Sequence, residues 1–274
     1  MNSQVFGVEC IVSKTNSTIA KIAKLLNKKD RKEAELFTLD GVKLFLEAYN
    51  FGAEIKYVVL NDASSFDSDT VDKIFKAREN GAKIICASEA VFSKLTEENA
   101  PQGIVTVCAF LPVHRFASRV DTINDDEKIL FLESVRDPGN VGAILRNAAA
   151  FGIDRLILTS DCADIYSQKV LRAAMGAIFK VKIDIIADTC KTVEALKKNG
   201  RRVISTTLGI NSLELGKDTI SGQDVFIIGN EGHGVSASTI ALSNETMFIP
   251  MCKNTESLNA SIAAAILMWE LFKL

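Results

Sequence analysis

Apolar positions along the chain follow two alternating periods. Alternating or continuous apolar stretches at 35–39, 55–60, 83–87 and 104–110 predict strands. The segments 17–29, 41–51, 69–79 and 88–97 bring an apolar residue back every three or four positions and predict helices. Strand and helix in turn predict a layered α/β domain over 1–112. Residues 113–127 lose the pattern, with His114, Arg115 and Arg119 ahead of a polar run that ends at Glu127, and read as a linker. The alternation resumes over 128–274, with strands at 129–132, 156–158, 202–207, 225–229 and 247–249. Helices are expected around Arg146 and at 167–179, 191–199 and 257–273. Short strands that are apolar throughout, set between helices, predict a mostly parallel sheet covered on both faces.

A length of 274 residues agrees with two domains. The net charge of −2 excludes a protein that coats nucleic acid with its whole surface, so any basic surface is local. One such surface is visible in 14–32, where Lys14, Lys21, Lys24, Lys28, Lys29, Arg31 and Lys32 face only Asp30. Ile19, Ile22, Ala23, Leu25 and Leu26 form an apolar stripe there. The basic side is then a solvated helix face or a phosphate-contacting arm. Cys10, Cys86, Cys108, Cys162, Cys190 and Cys252 contain no C-x-x-C pair, and His114 and His233 lack partners at metal-ligand spacing. Reduced thiols and no metal are expected. There is no secretory apolar segment, and the longest apolar run, Ile262 to Trp269, falls far short of the ~20 residues that span a bilayer. A cytoplasmic protein without a membrane anchor is expected.

Three clusters carry candidate chemistry. In Asp137-Pro-Gly-Asn-Val-Gly-Ala-Ile-Leu-Arg146, a helix puts Val141, Ile144, Leu145, Ala148 and Phe151 on one stripe. Arg146 points almost the opposite way, among Gly142, Ala143, Ala149 and Ala150. Such a face suits close coverage by backbone, a partner or an anionic ligand, although an ordinary structural ion pair would also place an arginine there. Asn140 stands where an N-cap would be. The second cluster is an apolar strand running into Gly229, Gly232 and Gly234 with Glu231 among them. Its G-x-x-G-x-G spacing is neither the dinucleotide fingerprint nor a phosphate loop, which removes the main support for a nicotinamide or ATP site. The third is Ile249-Pro-Met251 followed by Ser257, Leu258 and Asn259 at the start of the last helix. Ser257 and Asn259 fit helix caps as well as a site.

Together, Asn140-Val-Gly-Ala-Ile-Leu-Arg146, Gly229-Asn-Glu-Gly232, and Ile249-Pro-Met251 with Ser257-Leu-Asn259 resemble the three ordered motifs of the SpoU-type (TrmH-like) RNA ribose 2'-O-methyltransferases. The resemblance covers 128–274. Ser13-Lys-Thr-Asn16 and Arg31-Lys-Glu33 ahead of Leu36 are similar, more loosely, to that family's RNA-binding substrate domain.

The resemblance implies an α/β catalytic domain with its chain end tucked through a loop as a trefoil knot, a homodimer joined through that domain, and S-adenosylmethionine as cofactor. Ribosomal RNA is the implied substrate, with transfer RNA or a noncatalytic RNA-binding role as alternatives. Thr207, Leu208, Gly229, Asn230, Gly232, Ile249, Met251 and Leu258 match the cofactor site. Arg146, Asn140, Glu231, Ser257 and Asn259 match the catalytic set, with Asn140 and Glu231 expected to orient Arg146. Lys14, Asn16, Lys24, Lys28, Arg31 and Arg172 are the expected RNA contacts. Ala174 replaces the serine common beside Arg172 in the family.

Overall fold

The computed structural model describes residues 1–120, 123–209, 211–252 and 257–274. The chain opens with α1 (Asn2–Phe6), β1 (Cys10–Ile11), α2 (Ser17–Lys24), α3 (Lys28–Ala34), β2 (Leu36–Asp40) and α4 (Val42–Asn50). It continues through β3 (Ile55–Asn61), α5 (Ser68–Glu79), β4 (Lys83–Ala87), α6 (Glu89–Phe92) and β5 (Ile104–Ala109). These strands form a sheet in the order β1-β4-β3-β5-β2, parallel across the first three and antiparallel where β5 meets β3 and β2.

The helix expected at 17–29 is two helices. α2 stops at Lys24, and Asn27 caps α3 by accepting from the Lys29 amide (3.0 Å). Arg31, only 4% exposed, turns back and donates to the carbonyls of Leu25 (2.7 Å) and Leu26 (2.8 Å). Carbonyls left over at the end of α2 are thus satisfied by a buried cation rather than by water. The helix expected at 88–97 shrinks to the single turn of α6.

The remaining elements are β6 (His114–Ala117), β7 (Ile129–Leu132), α7 (Pro138–Ala150), β8 (Arg155–Thr159), α8 (Gln168–Ala174), β9 (Lys182–Ile186) and α9 (Thr189–Lys198). After them come β10 (Val203–Thr206), β11 (Leu213–Glu214), β12 (Val225–Ile228), α10 (Ala237–Leu242), β13 (Glu245–Phe248) and α11 (Ala260–Phe272). Eight strands form a second sheet, β11-β13-β10-β12-β7-β8-β9-β6, with every neighbouring pair parallel. Every residue of β7, β8 and β12 is buried, as the continuous apolar runs require.

Three of these strands escape the hydrophobic pattern, the two-residue β11 and the longer β6 and β9. β6 lies inside the stretch read as a linker, and β9 lies in a segment assigned no element. Both are held by charge. Asp184, buried on β9, accepts from Arg155 Nη1 (2.5 Å) and Arg115 Nε (2.7 Å). Arg155 also donates to both oxygens of Glu127 (2.8 and 3.0 Å), which takes Lys182 Nζ as well (2.7 Å). Burial pushes the Glu127 carboxyl up, but its bonds and charge attraction to Arg155 and Lys182 outweigh this and lower it to about 2.

The chain divides into two compact units, Met1–Leu111 with Tyr166–Phe179, and Pro112–Ile165 with Lys180–Leu274. The segment read as a helix of the second domain, 167–179, therefore belongs to the first unit. It forms α8 and a short 3-10 turn at Ala177–Phe179. The Tyr166 ring packs on Phe37 (4.5 Å between centroids) and Phe110 (4.2 Å), and its hydroxyl accepts from the Leu111 amide (3.0 Å). Gln168 Nε2 donates to Thr38 Oγ1 and to the Leu95 carbonyl, both at 3.2 Å. Among the described residues no helix is long and apolar enough to cross a membrane.

Candidate functional site

Parallel pairing brings the strand ends together. β12 lies beside β7 with Ile228 opposite Leu132, β10 lies on its other side, and β13 follows. Their C-terminal loops therefore emerge side by side, where open α/β sheets bind ligands. Glycine is obligatory at the tip of β12. A Cβ on Gly229 would stand 2.1 Å from the Gly234 carbonyl carbon and from the Val235 nitrogen. The loop closes on itself there, the Asn230 and Gly234 amides each donating to the other's carbonyl (3.0 and 2.9 Å). Asn230 builds this turn. Its Oδ1 accepts from Gly232 N (2.9 Å) and its Nδ2 donates to the Ser134 carbonyl (2.8 Å), tying the glycine loop to the loop after β7.

Glu231, Asn140 and Asn259 meet at one junction. Glu231 Oε1 accepts from Asn140 Nδ2 (2.9 Å) and the Asp137 amide (3.1 Å), and Oε2 accepts from the Arg136 amide (3.3 Å). Asn140 Oδ1 in turn accepts from Asn259 Nδ2 (2.9 Å). Asn259 Oδ1 caps α11 by accepting from the amides of Ser261 (2.8 Å) and Ile262 (3.4 Å). One chain of hydrogen bonds thus joins the start of α7, the loop after β12 and the start of α11. Burial pushes Glu231 up, but the donors on it prevail and hold it below the usual carboxylate range. The N-cap of α7 is Asp137, not Asn140. Its Oδ1 accepts from the Asn140 amide (2.8 Å), with Pro138 at the first helical position. Asn140 is thereby free to reach the other two motifs.

A cavity of about 430 Å³ opens beside this junction. All eight residues expected to hold a cofactor line it: Thr207, Leu208, Gly229, Asn230, Gly232, Ile249, Met251 and Leu258. Ser257 and Glu231 also line it, together with Thr206 and Ala263, which the motifs do not point to. The Thr207 amide donates to the Met247 carbonyl (3.0 Å), fixing one wall.

Arg146 stands apart. It is exposed and makes no hydrogen bond or ion pair among the described residues, whereas Glu231 and Asn140 bond to each other and to backbone. Six residues on from Asn140, it sits about 120° around α7 and about 9 Å along it. The expected orientation of Arg146 by Asn140 and Glu231 is therefore corrected. Among the expected RNA contacts, Lys14, Lys24 and Lys28 are exposed. Asn16 is spent capping α2, accepting from Thr18 N (3.0 Å) and Ile19 N (3.2 Å). Arg31 is buried on carbonyls and is removed from the set of available cations. Arg172 pairs with Glu98 at 2.8 Å.

Residues 127–269 match the model of the SpoU rRNA methylase family. The chain is 31% identical over 261 residues to the 23S rRNA (guanosine(2553)-2'-O)-methyltransferase RlmP of Bacillus subtilis, covering 95% of this chain and 98% of that protein. The chain belongs to the SpoU rRNA methylase family. Within this SpoU family member, residues 16–106 match the MRM3-like substrate binding domain. A further relative is the 23S rRNA (guanosine-2'-O-)-methyltransferase RlmB of Acinetobacter baylyi, 30% identical over 74% of this chain and 84% of that protein. The AdoMet-bound rRNA methyltransferase of Sinorhizobium meliloti has a similar structure, with a TM-score of 0.82, 28% identity and 97% of each chain covered.

Proposed function

We propose that this SpoU family member transfers a methyl group from S-adenosylmethionine to a ribose 2'-hydroxyl of RNA, with ribosomal RNA as substrate. The observation that carries the reading is the Glu231–Asn140–Asn259 junction beside a glycine-walled cavity lined by the expected cofactor residues. RlmP, matched over 95% of this chain, is named as a 23S rRNA 2'-O-methyltransferase, which supports the choice of substrate.

The cavity suits the cofactor. Its volume lies within the roughly 300–1,000 Å³ of small-ligand sites. Leu208, Ile249 and Leu258 supply apolar wall, and Gly229, Gly232 and Gly234 line it with backbone. The cofactor when bound supplies a methyl group already activated on a sulfonium. The protein's share is then alignment and management of the hydroxyl proton. A guanidinium is protonated at any working pH, so Arg146 acts as a clamp on phosphate and on the developing alkoxide charge, not as a base. Asn140, Glu231 and Asn259 are positioning residues. Their hydrogen bonds set the start of α7 relative to the cavity wall.

The same reading includes a knotted catalytic domain, a cytoplasmic location and a homodimer. Supporting the dimer, α11 leaves Ile262, Trp269 and Phe272 about half exposed, and it packs along α7, whose outer side carries Ala143, Arg146 and Ala150. A second copy on this face would bring other groups to the free Arg146. Calorimetry with S-adenosylhomocysteine tests the proposal, because binding of NAD with none of S-adenosylhomocysteine would overturn it. Retention of methyl transfer by Arg146→Ala would overturn the role of that residue.

A further inference from the structure

Tyr57, on β3, lines two hollows beside the face of the five-stranded sheet that α2 and α6 cover. It packs against the buried cluster that includes Val59, Val105 and Val107 and is half-buried, while its hydroxyl makes no hydrogen bond among the described residues. Two cavities meet at Tyr57 and Thr18. The first, about 390 Å³, has a floor of Ile22, Leu25, Leu36 and Val107. The second, about 480 Å³, lies at the start of β4 and mixes the apolar Ile11, Ile84 and Ile85 with Arg78 and Lys83. Exposed cations stand at their rims: Lys21 and Lys24 on α2 at the first, and Lys83 at the second, in register with Tyr57 across β3 and β4. None of these three lysines makes an ion pair among the described residues. The acids at the first cavity are Asp30 and Glu33, and Glu33 is partnered by Lys29 at 3.8 Å.

A half-buried aromatic ring shared by two partly apolar hollows, with unpaired lysines at their rims, has the makings of a stacking platform for unpaired bases. We propose that this face takes two successive unpaired nucleotides of the RNA substrate, one base on each side of Tyr57, with Lys21, Lys24 and Lys83 on the intervening phosphates. The proposal rests on the RNA methyltransferase reading and extends it to Tyr57 and Lys83, which no motif names. Charge decides the occupant: the unpaired rim cations outnumber the unpaired acids, which favours a polyanion over an apolar peptide. The match of 16–106 to a substrate-binding domain agrees with this.

The test uses the full chain and a short single-stranded oligoribonucleotide of mixed sequence, with the same sequence as a duplex for comparison. Tyr57→Ala is expected to lower single-strand affinity by about tenfold or more, the size of one lost base stack. Tyr57→Phe is expected to restore most of it. Lys21→Gln with Lys24→Gln, both at exposed positions, is expected to flatten the salt dependence of binding by about 0.7 for each phosphate no longer neutralised. With ribosomal RNA as methyl acceptor, KM is expected to rise in Tyr57→Ala while kcat and S-adenosylhomocysteine affinity hold. Unchanged affinity and KM in both Tyr57→Ala and the double lysine variant would overturn the proposal. So would equal losses for duplex and single strand, or the variants losing a ribosomal protein instead of RNA. Failure of the wild-type protein to bind S-adenosylhomocysteine or to methylate any RNA would instead count against the function on which the proposal rests.

Discussion

Replacing Gly229 by alanine probes the cavity wall with the smallest possible change. The added methyl would lie 2.1 Å from two backbone atoms and 2.3 Å from the Gly234 oxygen, against the ~3.5–4.0 Å at which carbon atoms rest. Those atoms belong to main chain, so no side chain can swing aside. Relief requires opening the Asn230–Gly234 bridge and its two hydrogen bonds. At about 1 kcal/mol each, with about 1–3 kcal/mol of residual crowding, the loop loses about 3–5 kcal/mol in its present shape. If binding must restore that shape, cofactor affinity falls by about 10²–10⁴-fold. Titration calorimetry with S-adenosylhomocysteine measures the loss, and thermal unfolding of the same variant measures the strain. Gly222→Ala is the control, because its Cβ would meet nothing nearer than Leu274 Cβ at 4.0 Å, and its effect is expected within about 0.5 kcal/mol. Wild-type affinity together with a wild-type melting temperature in Gly229→Ala would refute this account of the loop.

Other changes separate positioning, clamping and folding. Glu231→Gln puts an amide where a carboxylate now accepts three donors, and is expected to cost about 1–2 kcal/mol in the junction; kcat falls while cofactor affinity holds, and an unchanged kcat would remove Glu231 from the positioning set. Arg146→Ala is expected to lower methyl transfer by about 10²-fold or more with S-adenosylhomocysteine affinity within a few-fold, as read by single-turnover kinetics. Glu127→Ala removes one of the two carboxylates on the buried Arg155, leaving Asp184, and is expected to destabilise the protein by about 1.5–3 kcal/mol in urea unfolding. The Glu127 carboxyl is lower in the folded state, at about 2, than its unfolded value of about 4.3. Its contribution is therefore complete above about pH 4.3 and lost as pH falls toward 2, so the variant's acid profile should flatten across that window.

The apolar rhythm of the chain made most strands legible, because β3, β5, β7 and β12 are runs that only a covered sheet accommodates. Where charge enters the core, the rhythm fails. Lys182-Ile-Asp-Ile-Ile186 looks half polar until Asp184 is seen holding Arg155 and Arg115, and the strand at His114–Ala117 depends on the same partnership. Arg31 misled for a related reason. It counts as one more cation in a basic stretch, yet its guanidinium is consumed by two carbonyls of its own chain. Tyr166 and Gln168 drew their helix into the first unit by packing and bonding to Phe37, Phe110 and Thr38, residues more than a hundred positions earlier for Thr38 and Phe37. No local pattern encodes such pairing. Of the candidate site, the motifs named Glu231, Asn140 and Asn259, which share one chain of hydrogen bonds, and the eight residues expected at the cofactor line one cavity. The motifs did not reveal that Asp137 caps α7, although an acidic residue before a proline at the first helical position was the available signal.

The central claim is that this site moves a methyl group onto a ribose hydroxyl of RNA. Its most direct test is to incubate the protein with isotopically labelled S-adenosylmethionine and unmodified ribosomal RNA, digest the RNA to nucleosides, and locate the label by mass spectrometry. The expected result is label in a single 2'-O-methylnucleoside, absent with Arg146→Ala. Label on a base, label in transfer RNA alone, or no transfer at all would contradict the account.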